Sequence, residues 1–173
     1  MLVCKVFLTD EKWKDSVSAE EEWNLLTLIE ALRREGKKIS LILDLNRSLD
    51  YYNFDDFLAQ NPEHSYIKYK KIALEDKVVP PPELIQESHD AIDEFIDKEG
   101  VIVVHCFNGR NRTGYVVCSY LCEKFNLSGQ EAIELFDESR GIPIEHETIK
   151  EHLKTVYPKV SSDLEKSDGV PLK

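Results

Sequence analysis

The sequence predicts an α/β fold in which a mostly parallel sheet is covered by helices on both faces. Two short apolar runs, at residues 39–45 and 101–104, have the length and composition of buried strands. Two longer segments, 19–34 and 83–98, have apolar residues recurring every three or four positions, as amphipathic helices do. Strands that alternate with helices favour a parallel sheet, because each helix returns the chain to the same edge.

The remaining elements follow from local patterns along the chain. Further strands are predicted at 3–8, on an edge of the sheet, and at 66–72, and further helices at 55–59, 115–125, 128–139 and 145–157. Gly36 and Gly100 stand where two helices end, as glycine often does. Ser128 and Glu131 have the spacing of a capping box. We assign one domain to residues 1–158 and a polar tail to 159–173, with a polar loop at 10–18.

Composition narrows the classes of function. The chain has 173 residues, 42% hydrophobic and 32% charged, which is ordinary for a soluble globular domain. Its net charge of −11 opposes binding along the length of a nucleic acid but allows recognition of one RNA end in a local basic pocket. No apolar run approaches the ~18 residues of a membrane span. The first residues do not form a signal peptide, so we expect an intracellular protein without membrane contact.

The cysteines and histidines show no metal or disulfide spacing. The four cysteines lie at 4, 106, 118 and 122, which fits a reducing compartment. Cys118 and Cys122 are one helical turn apart and are expected to pack in the core. The histidines at 64, 89, 146 and 152 are expected at the surface.

The loop at residues 105–114 carries the chemistry. It reads His-Cys-Phe-Asn-Gly-Arg-Asn-Arg-Thr-Gly, between a predicted strand and a predicted helix. Main-chain amides and the positive end of a helix dipole favour an anion there and stabilise a thiolate at Cys106. The planar guanidinium of Arg112 can bind two phosphate oxygens at once. Ligands of parallel sheets bind beyond the carboxyl ends of the strands, where this loop lies.

This loop resembles the phosphate-binding loop of the cysteine-dependent, dual-specificity-like phosphatases, whose pattern is His-Cys-x5-Arg followed by Ser or Thr. The string at 111–114, Asn-Arg-Thr-Gly, is similar to the RNA 5′-triphosphatase branch. That branch holds the triphosphatase domains of animal-type mRNA capping enzymes and stand-alone baculovirus-type RNA phosphatases. Segments 44–45, 51–53 and 66–68 resemble the same branch in the same order, and 140–145 resembles the stand-alone type more.

The resemblance implies the cysteine-phosphatase fold and an RNA 5′-triphosphatase, or polynucleotide 5′-phosphatase, of mRNA capping. In that reading Cys106 attacks the terminal phosphorus and forms a cysteinyl phosphate, which water then hydrolyses. The phosphate oxygens are bound by the loop, namely by Phe107, Asn108, Gly109, Arg110, Asn111, Arg112 and Thr113. No metal or other cofactor is implied. The implied partners are the 5′-triphosphate end of RNA and the capping or transcription machinery, for a monomer in the nucleus, with the cytoplasm as the alternative.

Five supporting side chains have roles that the resemblance suggests. His105 would hold the cradle through ring hydrogen bonds, and Thr113 would donate to the sulfur of the nucleophile. Asn111 is expected to brace the loop. Arg110 either meets distal phosphates or is solvated. Arg140 is the candidate for a further phosphate contact.

Asp76 stands thirty residues before Cys106, where such phosphatases carry a general acid for an alkoxide leaving group. An anhydride leaving group is a weak base and needs little protonation, so Asp76 is either that acid or a solvated loop residue. The surrounding loop, 73–82, is acidic and departs from the family pattern. The family often has an Arg before its tyrosine pair, where this chain has Asp50, with Arg47 upstream.

Three lysines and two other functions remain open. Lys68, Lys70 and Lys71 form either a basic approach for RNA or one polar strand edge. The acidic loop favours a dual-specificity phosphoprotein or phosphoinositide phosphatase, whereas the string at 111–114 favours RNA. A third alternative is an inactive phosphate-binding module, against which the intact cysteine and arginine of the loop argue.

Overall fold

A four-stranded parallel sheet with strand order β1-β4-β2-β3 forms the centre of the molecule. The structure is a computed structural model that describes residues 1–8, 23–48 and 51–159. The strands are β1 (Leu2–Cys4), β2 (Ile39–Asp44), β3 (Lys68–Lys71) and β4 (Val101–His105). The helices are α1 (Leu25–Arg34), α2 (Phe54–Gln60), α3 (Pro82–Ile96), α4 (Asn111–Phe125), α5 (Gly129–Arg140) and α6 (Glu147–Val156), with a 3-10 turn at Pro62–His64. The predicted parallel α/β fold is confirmed.

Both faces of the sheet are buried, because successive residues of the central strands point to opposite sides. Leu41 and Leu43 of β2 face one core with α3 to α6, whereas Ile42 faces the other with α1 and α2. This two-sided burial explains the unbroken apolar runs seen in the sequence. Cys118 and Cys122 are buried in the first core, as expected. All four cysteines are free.

Capping side chains set the starts of the helices. The Asn24 side chain accepts a hydrogen bond from the Thr27 amide at 2.9 Å, so α1 begins at Leu25. The predicted start of this helix, at 19, lies outside the described residues. The capping box of Ser128 and Glu131 is confirmed.

Helix α4 begins four residues earlier than predicted, which places Arg112 and Thr113 in its first turn. Gly114 does not interrupt the helix, because its amide donates to the Arg110 carbonyl at 2.7 Å. A Cβ on Gly114 would lie 2.6 Å from Ile144 Cγ1, so close packing accounts for this glycine. The helix dipole therefore begins directly at the cysteine loop.

The carboxyl ends of the strands meet at one edge of the sheet. The register aligns His105 with Cys4 of β1 and with Asp44 of β2, and Asp44 with Lys71 of β3. Strand β1 lies at the edge, as predicted, but is shorter, because β4 ends at His105 and offers no further partner. Nothing among the described helices has the length and apolarity to cross a membrane. The predicted loop at 10–18, Asp50 and residues 160–173 of the predicted tail lie outside the described residues.

Candidate active site

The loop from Cys106 to Arg110 connects β4 to α4 beyond the end of the sheet. Cys106 is 2% exposed. Gly109 has a φ of 61°, and a Cβ there would lie 2.1 Å from the Cys4 carbonyl oxygen. Only glycine therefore permits this loop to turn and to pack against the end of β1.

Arg112 and Thr113 each present a buried polar atom that makes no hydrogen bond within the described residues. The Arg112 side chain is nearly buried, and its Nη1 donates to the Leu74 carbonyl at 3.4 Å. Arg112 Nε and Thr113 Oγ1 are buried without a hydrogen-bond partner among the described residues. Buried donors of this kind are costly unless a ligand satisfies them. Their position beside Cys106 suits a bound oxyanion, as the sequence predicts.

His105 is completely buried directly before Cys106. Its Nε2 lies 2.8 Å from the Tyr52 hydroxyl, and its Nδ1 lies 3.8 Å from Asp44 Oδ1. Burial lowers the pKa of His105 from 6.5 to about 4, although the Asp44 carboxylate acts in the opposite direction. The imidazole is therefore neutral near pH 7 and supports the loop through hydrogen bonding rather than charge.

A buried carboxylate joins His105 to β3. Asp44 is 2% exposed, and its Oδ2 accepts from the Tyr69 hydroxyl and from Lys71 Nζ, both at 2.8 Å. Its Oδ1 accepts from the Asn46 amide at 2.8 Å. Burial, followed by the Asp44 charge, raises the pKa of the Tyr69 hydroxyl, which stays protonated as a donor. An Asp at the end of an apolar strand was the only sequence signal for this network.

Asn111 ties the start of α4 to the segment between α5 and α6, and its predicted contact with phosphate stays a prediction. Its Oδ1 accepts from the amides of Glu145 and His146, at 2.8 and 3.2 Å. Arg110 makes a related contact, since its Nε donates to the Pro143 carbonyl at 3.2 Å and its Nη1 lies 3.5 Å from Glu145 Oε2. These bonds hold the loop to the segment between α5 and α6. A contact between Arg110 and distal phosphates stays a prediction.

Arg140 lies on the carbonyl side of the cysteine loop. Its Nε donates to the Gly109 carbonyl at 3.3 Å, and its Nη2 donates to the Asn108 carbonyl at 3.5 Å. These two hydrogen bonds hold the carbonyls of Asn108 and Gly109 against α5. Arg140 thus contacts the main chain of the loop, and the predicted phosphate contact of Arg140 stays a prediction.

Asp76 lies beside the arginine of the cradle. Its Oδ1 is 3.8 Å from Arg112 Nε, and its side chain is 54% exposed. The adjoining Lys77 has a φ of 60°, which marks a tight turn. The neighbouring Glu75 forms an ion pair with Arg47. The turn thus places a solvent-accessible carboxyl beside Arg112, and the role of Asp76 as a general acid stays a prediction.

Acidic residues pair with two of the three lysines of β3, which are Lys68, Lys70 and Lys71. Lys71 bonds to the buried Asp44, and Lys70 Nζ lies 3.2 Å from Glu87 Oε1. These pairs favour the interpretation as one polar strand over that of a basic approach to the site.

One buried polar residue, Asn46, escaped the sequence analysis, and another, His89, was misplaced. Asn46 is 1% exposed, and its side-chain oxygen and nitrogen have no hydrogen-bond partner in the described part of the chain. It lies near the cysteine loop, because the preceding residue, Leu45, donates its amide hydrogen to the His105 carbonyl at 2.8 Å.

His89 is the second, and its expected place at the surface is wrong. It is 1% exposed, with Nε2 3.0 Å from Ser119 Oγ and Nδ1 2.9 Å from Glu123 Oε2. It joins α3 to α4, and its hydrogen bonds compensate for burial.

Known proteins resemble this chain over most of its length. Residues 27–158 match the model of the dual specificity phosphatase catalytic domain. The chain is 35% identical over 155 residues to the tyrosine-protein phosphatase of Autographa californica nuclear polyhedrosis virus, a match covering 88% of this chain and 87% of the viral protein. It is 34% identical over 143 residues to the RNA/RNP complex-1-interacting phosphatase homolog of Caenorhabditis elegans. It is 32% identical over 148 residues to the RNA/RNP complex-1-interacting phosphatase of Mus musculus.

The matches differ in how much of each relative they include. They cover 80% and 83% of this chain but 59% of the nematode protein and 44% of the mouse protein. The chain therefore spans about half the length of these animal relatives.

Solved structures share the fold. Tk-PTP in the active form has a TM-score of 0.59 at 21% identity, with 78% of this chain and 86% of that chain covered. Human DUSP28 has a TM-score of 0.57 at 18% identity, with 75% and 82% covered. Together with a buried cysteine at the start of an anion-binding loop, these findings show that the chain is a cysteine-dependent phosphatase of the dual specificity phosphatase family.

Proposed function

We propose that the protein is an RNA 5′-triphosphatase, or polynucleotide 5′-phosphatase, which removes the terminal phosphate from 5′-triphosphate RNA. The observation that carries this proposal is the alignment of the phosphatase domain with animal phosphatases named for an RNA/RNP complex. The string at 111–114 supports it from within the loop. We attribute the activity, substrates and partners of the longer relatives to this chain only within this proposal.

The proposed reaction has two displacements at phosphorus. The Cys106 thiolate forms a bond to the terminal phosphorus as the bond to the bridging oxygen breaks, which releases the RNA with a 5′-diphosphate. Arg112 and the loop amides stabilise the negative charge on the equatorial oxygens. Water then attacks the cysteinyl phosphate, and the sulfur leaves as phosphate and a proton are released. Thr113 Oγ1, which lacks a partner among the described residues, is available to donate to the departing sulfur.

The test is phosphate release from a short 5′-triphosphate RNA in the presence of a chelator, with the Cys106→Ser variant alongside. We expect turnover without added metal by the native enzyme and none by the variant, whose circular dichroism stays native. Phosphate release by Cys106→Ser would contradict the covalent mechanism. No release from RNA by a native enzyme that hydrolyses a phosphotyrosine peptide would contradict the proposed substrate.

A second candidate function is hydrolysis of phosphoproteins. The position of Asp76, 3.8 Å from Arg112 Nε, favours it, because a phosphoester needs a general acid for its leaving group. The name of the viral relative, a tyrosine-protein phosphatase, points the same way. The substrate-specific effect of Asp76→Asn separates the two candidates.

For Asp76→Asn we expect kcat to fall at least about 100-fold on a phosphotyrosine peptide and less than about threefold on triphosphate RNA. The RNA leaving group is already a weak base, which explains the difference. Glu75→Gln is the matched control, since Glu75 pairs with Arg47 rather than with Arg112. A large loss on RNA would show that the anhydride reaction also uses this acid.

The proposal includes the cellular setting that the family resemblance implies. We infer that the enzyme acts with the capping or transcription machinery in the nucleus, as a monomer. Fluorescence microscopy of the tagged chain, together with co-purification of a guanylyltransferase, tests the location and the partner. A uniformly cytoplasmic signal without such co-purification would contradict this setting.

A further inference from the structure

Two aromatic side chains meet at the rim of the cysteine loop. Phe107 directly follows the buried Cys106, yet Phe107 is 44% exposed. Its ring centroid lies 5.2 Å from that of Tyr51, with the ring planes tilted by 39°. Tyr51 is partly buried. A large exposed apolar ring beside a nucleophile contributes little to the core, and burial of its surface by a ligand would be favourable.

Hydrogen bonds made by the main chain of Phe107 and by the residue after Tyr51 hold the two rings in place. The Phe107 carbonyl accepts a hydrogen bond from the Val6 amide at 3.0 Å, which fixes the loop to the chain after β1. Tyr51 precedes Tyr52, whose hydroxyl lies 2.8 Å from His105 Nε2. Phe107 is thus fixed by its own carbonyl, and Tyr51 is fixed through the bond of its neighbour to His105. Such anchoring reduces the conformational entropy that ligand binding would otherwise cost.

We propose that Phe107 and Tyr51 form a stacking platform for the nucleobase of the 5′-terminal nucleotide, an inference that rests on the proposed RNA function. Aromatic rings stack with all four bases, because every base has a π-face. Single bonds through the triphosphate and the ribose let the base fold back onto a ring that adjoins the nucleophile. Stacking also requires no positive surface, in keeping with a chain of net charge −11.

Two cations near the carboxyl ends of β2 and β3 are engaged with acidic groups, which makes an aromatic contact the stronger candidate. Lys71 bonds to Asp44, and Arg47 pairs with Glu75. Backbone phosphates beyond the first nucleotide would compete with these carboxylates. The base is the part of the substrate that an uncharged rim can bind.

The competing occupant of this rim is the ring of a phosphotyrosine. That ring is bonded directly to the ester oxygen and lies close to the reacting phosphorus. A triphosphate base lies farther from the phosphorus and suits an exposed rim better. The two occupants differ in their response to removal of the aromatic rings.

The experiment compares triphosphate RNA with inorganic triphosphate, which has the same terminal anhydride but no base. We expect Phe107→Ala and Tyr51→Ala each to lower kcat/KM for RNA about tenfold more than kcat/KM for inorganic triphosphate. A tenfold change equals about 1.4 kcal/mol, within the range measured for stacking of one base. Phe107→Trp restores the preference for RNA. Phe125→Ala is the control, because Phe125 is 63% exposed at the far end of α4.

A binding measurement tests the platform without turnover. We expect the fluorescence of 2-aminopurine, placed as the first nucleotide of a triphosphate RNA, to be quenched on binding to the Cys106→Ser protein. The probe at the third nucleotide keeps its fluorescence, and Phe107→Ala in the same background removes the quenching.

Three outcomes decide the matter. Equal losses on RNA and inorganic triphosphate would overturn the platform, because the rings would then shape only the loop. Losses on a phosphotyrosine peptide but not on RNA would overturn it in favour of a phosphotyrosine wall. No turnover of RNA by the native enzyme would refute the proposed function itself, whereas the first two outcomes refute only the platform.

Discussion

At the residue scale, a buried and neutral histidine directly precedes Cys106. His105 is buried between the hydroxyl of Tyr52 and the carboxylate of Asp44, and burial lowers its pKa to about 4. The ordinary histidine value of 6.5 applies in the unfolded chain. Between pH 6.5 and 4 the unfolded state therefore binds more protons than the native state, and stability falls as the pH falls.

The expected size of this effect follows from the two pKa values. A fall in the pKa of His105 from 6.5 to about 4 corresponds to about 3 kcal/mol of folding stability. This stability is fully present above pH 6.5 and is lost as the pH falls to 4. Urea unfolding at pH 7.5 and pH 4 should show the native enzyme losing about 3 kcal/mol more than His105→Gln. Effects of titratable groups distant from His105 are common to both proteins and cancel in the difference. Equal losses would mean that His105 is not buried as a neutral ring.

Arg140 supplies a second test at the residue scale. Because its guanidinium bonds to the carbonyls of Asn108 and Gly109, it supports the loop for any phosphate substrate. We expect Arg140→Ala to lower kcat/KM about tenfold for triphosphate RNA and for p-nitrophenyl phosphate alike. A loss confined to the triphosphate would instead show that Arg140 binds a distal phosphate. Arg34→Ala, on the exposed end of α1, serves as the control.

At the scale of elements, the active site is a junction between the end of β1 and the start of α4. Gly109 makes this junction, with a φ of 61° and no room for a Cβ beside the Cys4 carbonyl. We expect Gly109→Ala to lower kcat/KM at least about 100-fold, because the loop amides that bind phosphate would be displaced.

Gly36 provides the matched control for that substitution. It has a φ of 70°, and an added Cβ would meet nothing within 4 Å. We expect Gly36→Ala to lower the free energy of unfolding by about 1 kcal/mol and to leave kcat unchanged. Chemical unfolding together with steady-state kinetics measures both quantities. Native activity in Gly109→Ala would show that the loop tolerates the displacement.

At the scale of the whole molecule, net charge limits how the proposed RNA substrate can bind. A net charge of −11 repels a polyanion except at a local site. We expect KM to change less than about threefold between a triphosphorylated trinucleotide and a thirty-nucleotide RNA. The salt dependence of kcat/KM should likewise be shallow. A KM that falls tenfold with RNA length would reveal an extended binding track.

Local signals in the sequence predicted the fold and the chemical centre. Apolar runs predicted β2 and β4, and capping residues predicted the start of α5, because such preferences act over a few neighbouring residues. The spacing from Cys106 to Arg112 predicted an anion site, since one short loop carries the nucleophile and the positive charge. The predicted boundaries of α4 and β1 were wrong. Packing of Gly114 against Ile144 decided the first, and the end of β4 decided the second.

The surroundings of that centre depend on contacts between residues far apart in the chain. Asp44 meets Lys71 and His105 only because three parallel strands end in register. His89 is buried because α3 packs against α4. The sequence by itself therefore determined the candidate catalytic residues, through short-range preferences and one contiguous loop. Only the tertiary structure decided which side chains support these residues and that the Phe107 ring packs against the Tyr51 ring. The physical reason is that strand register and helix packing set the distances between residues far apart in the chain.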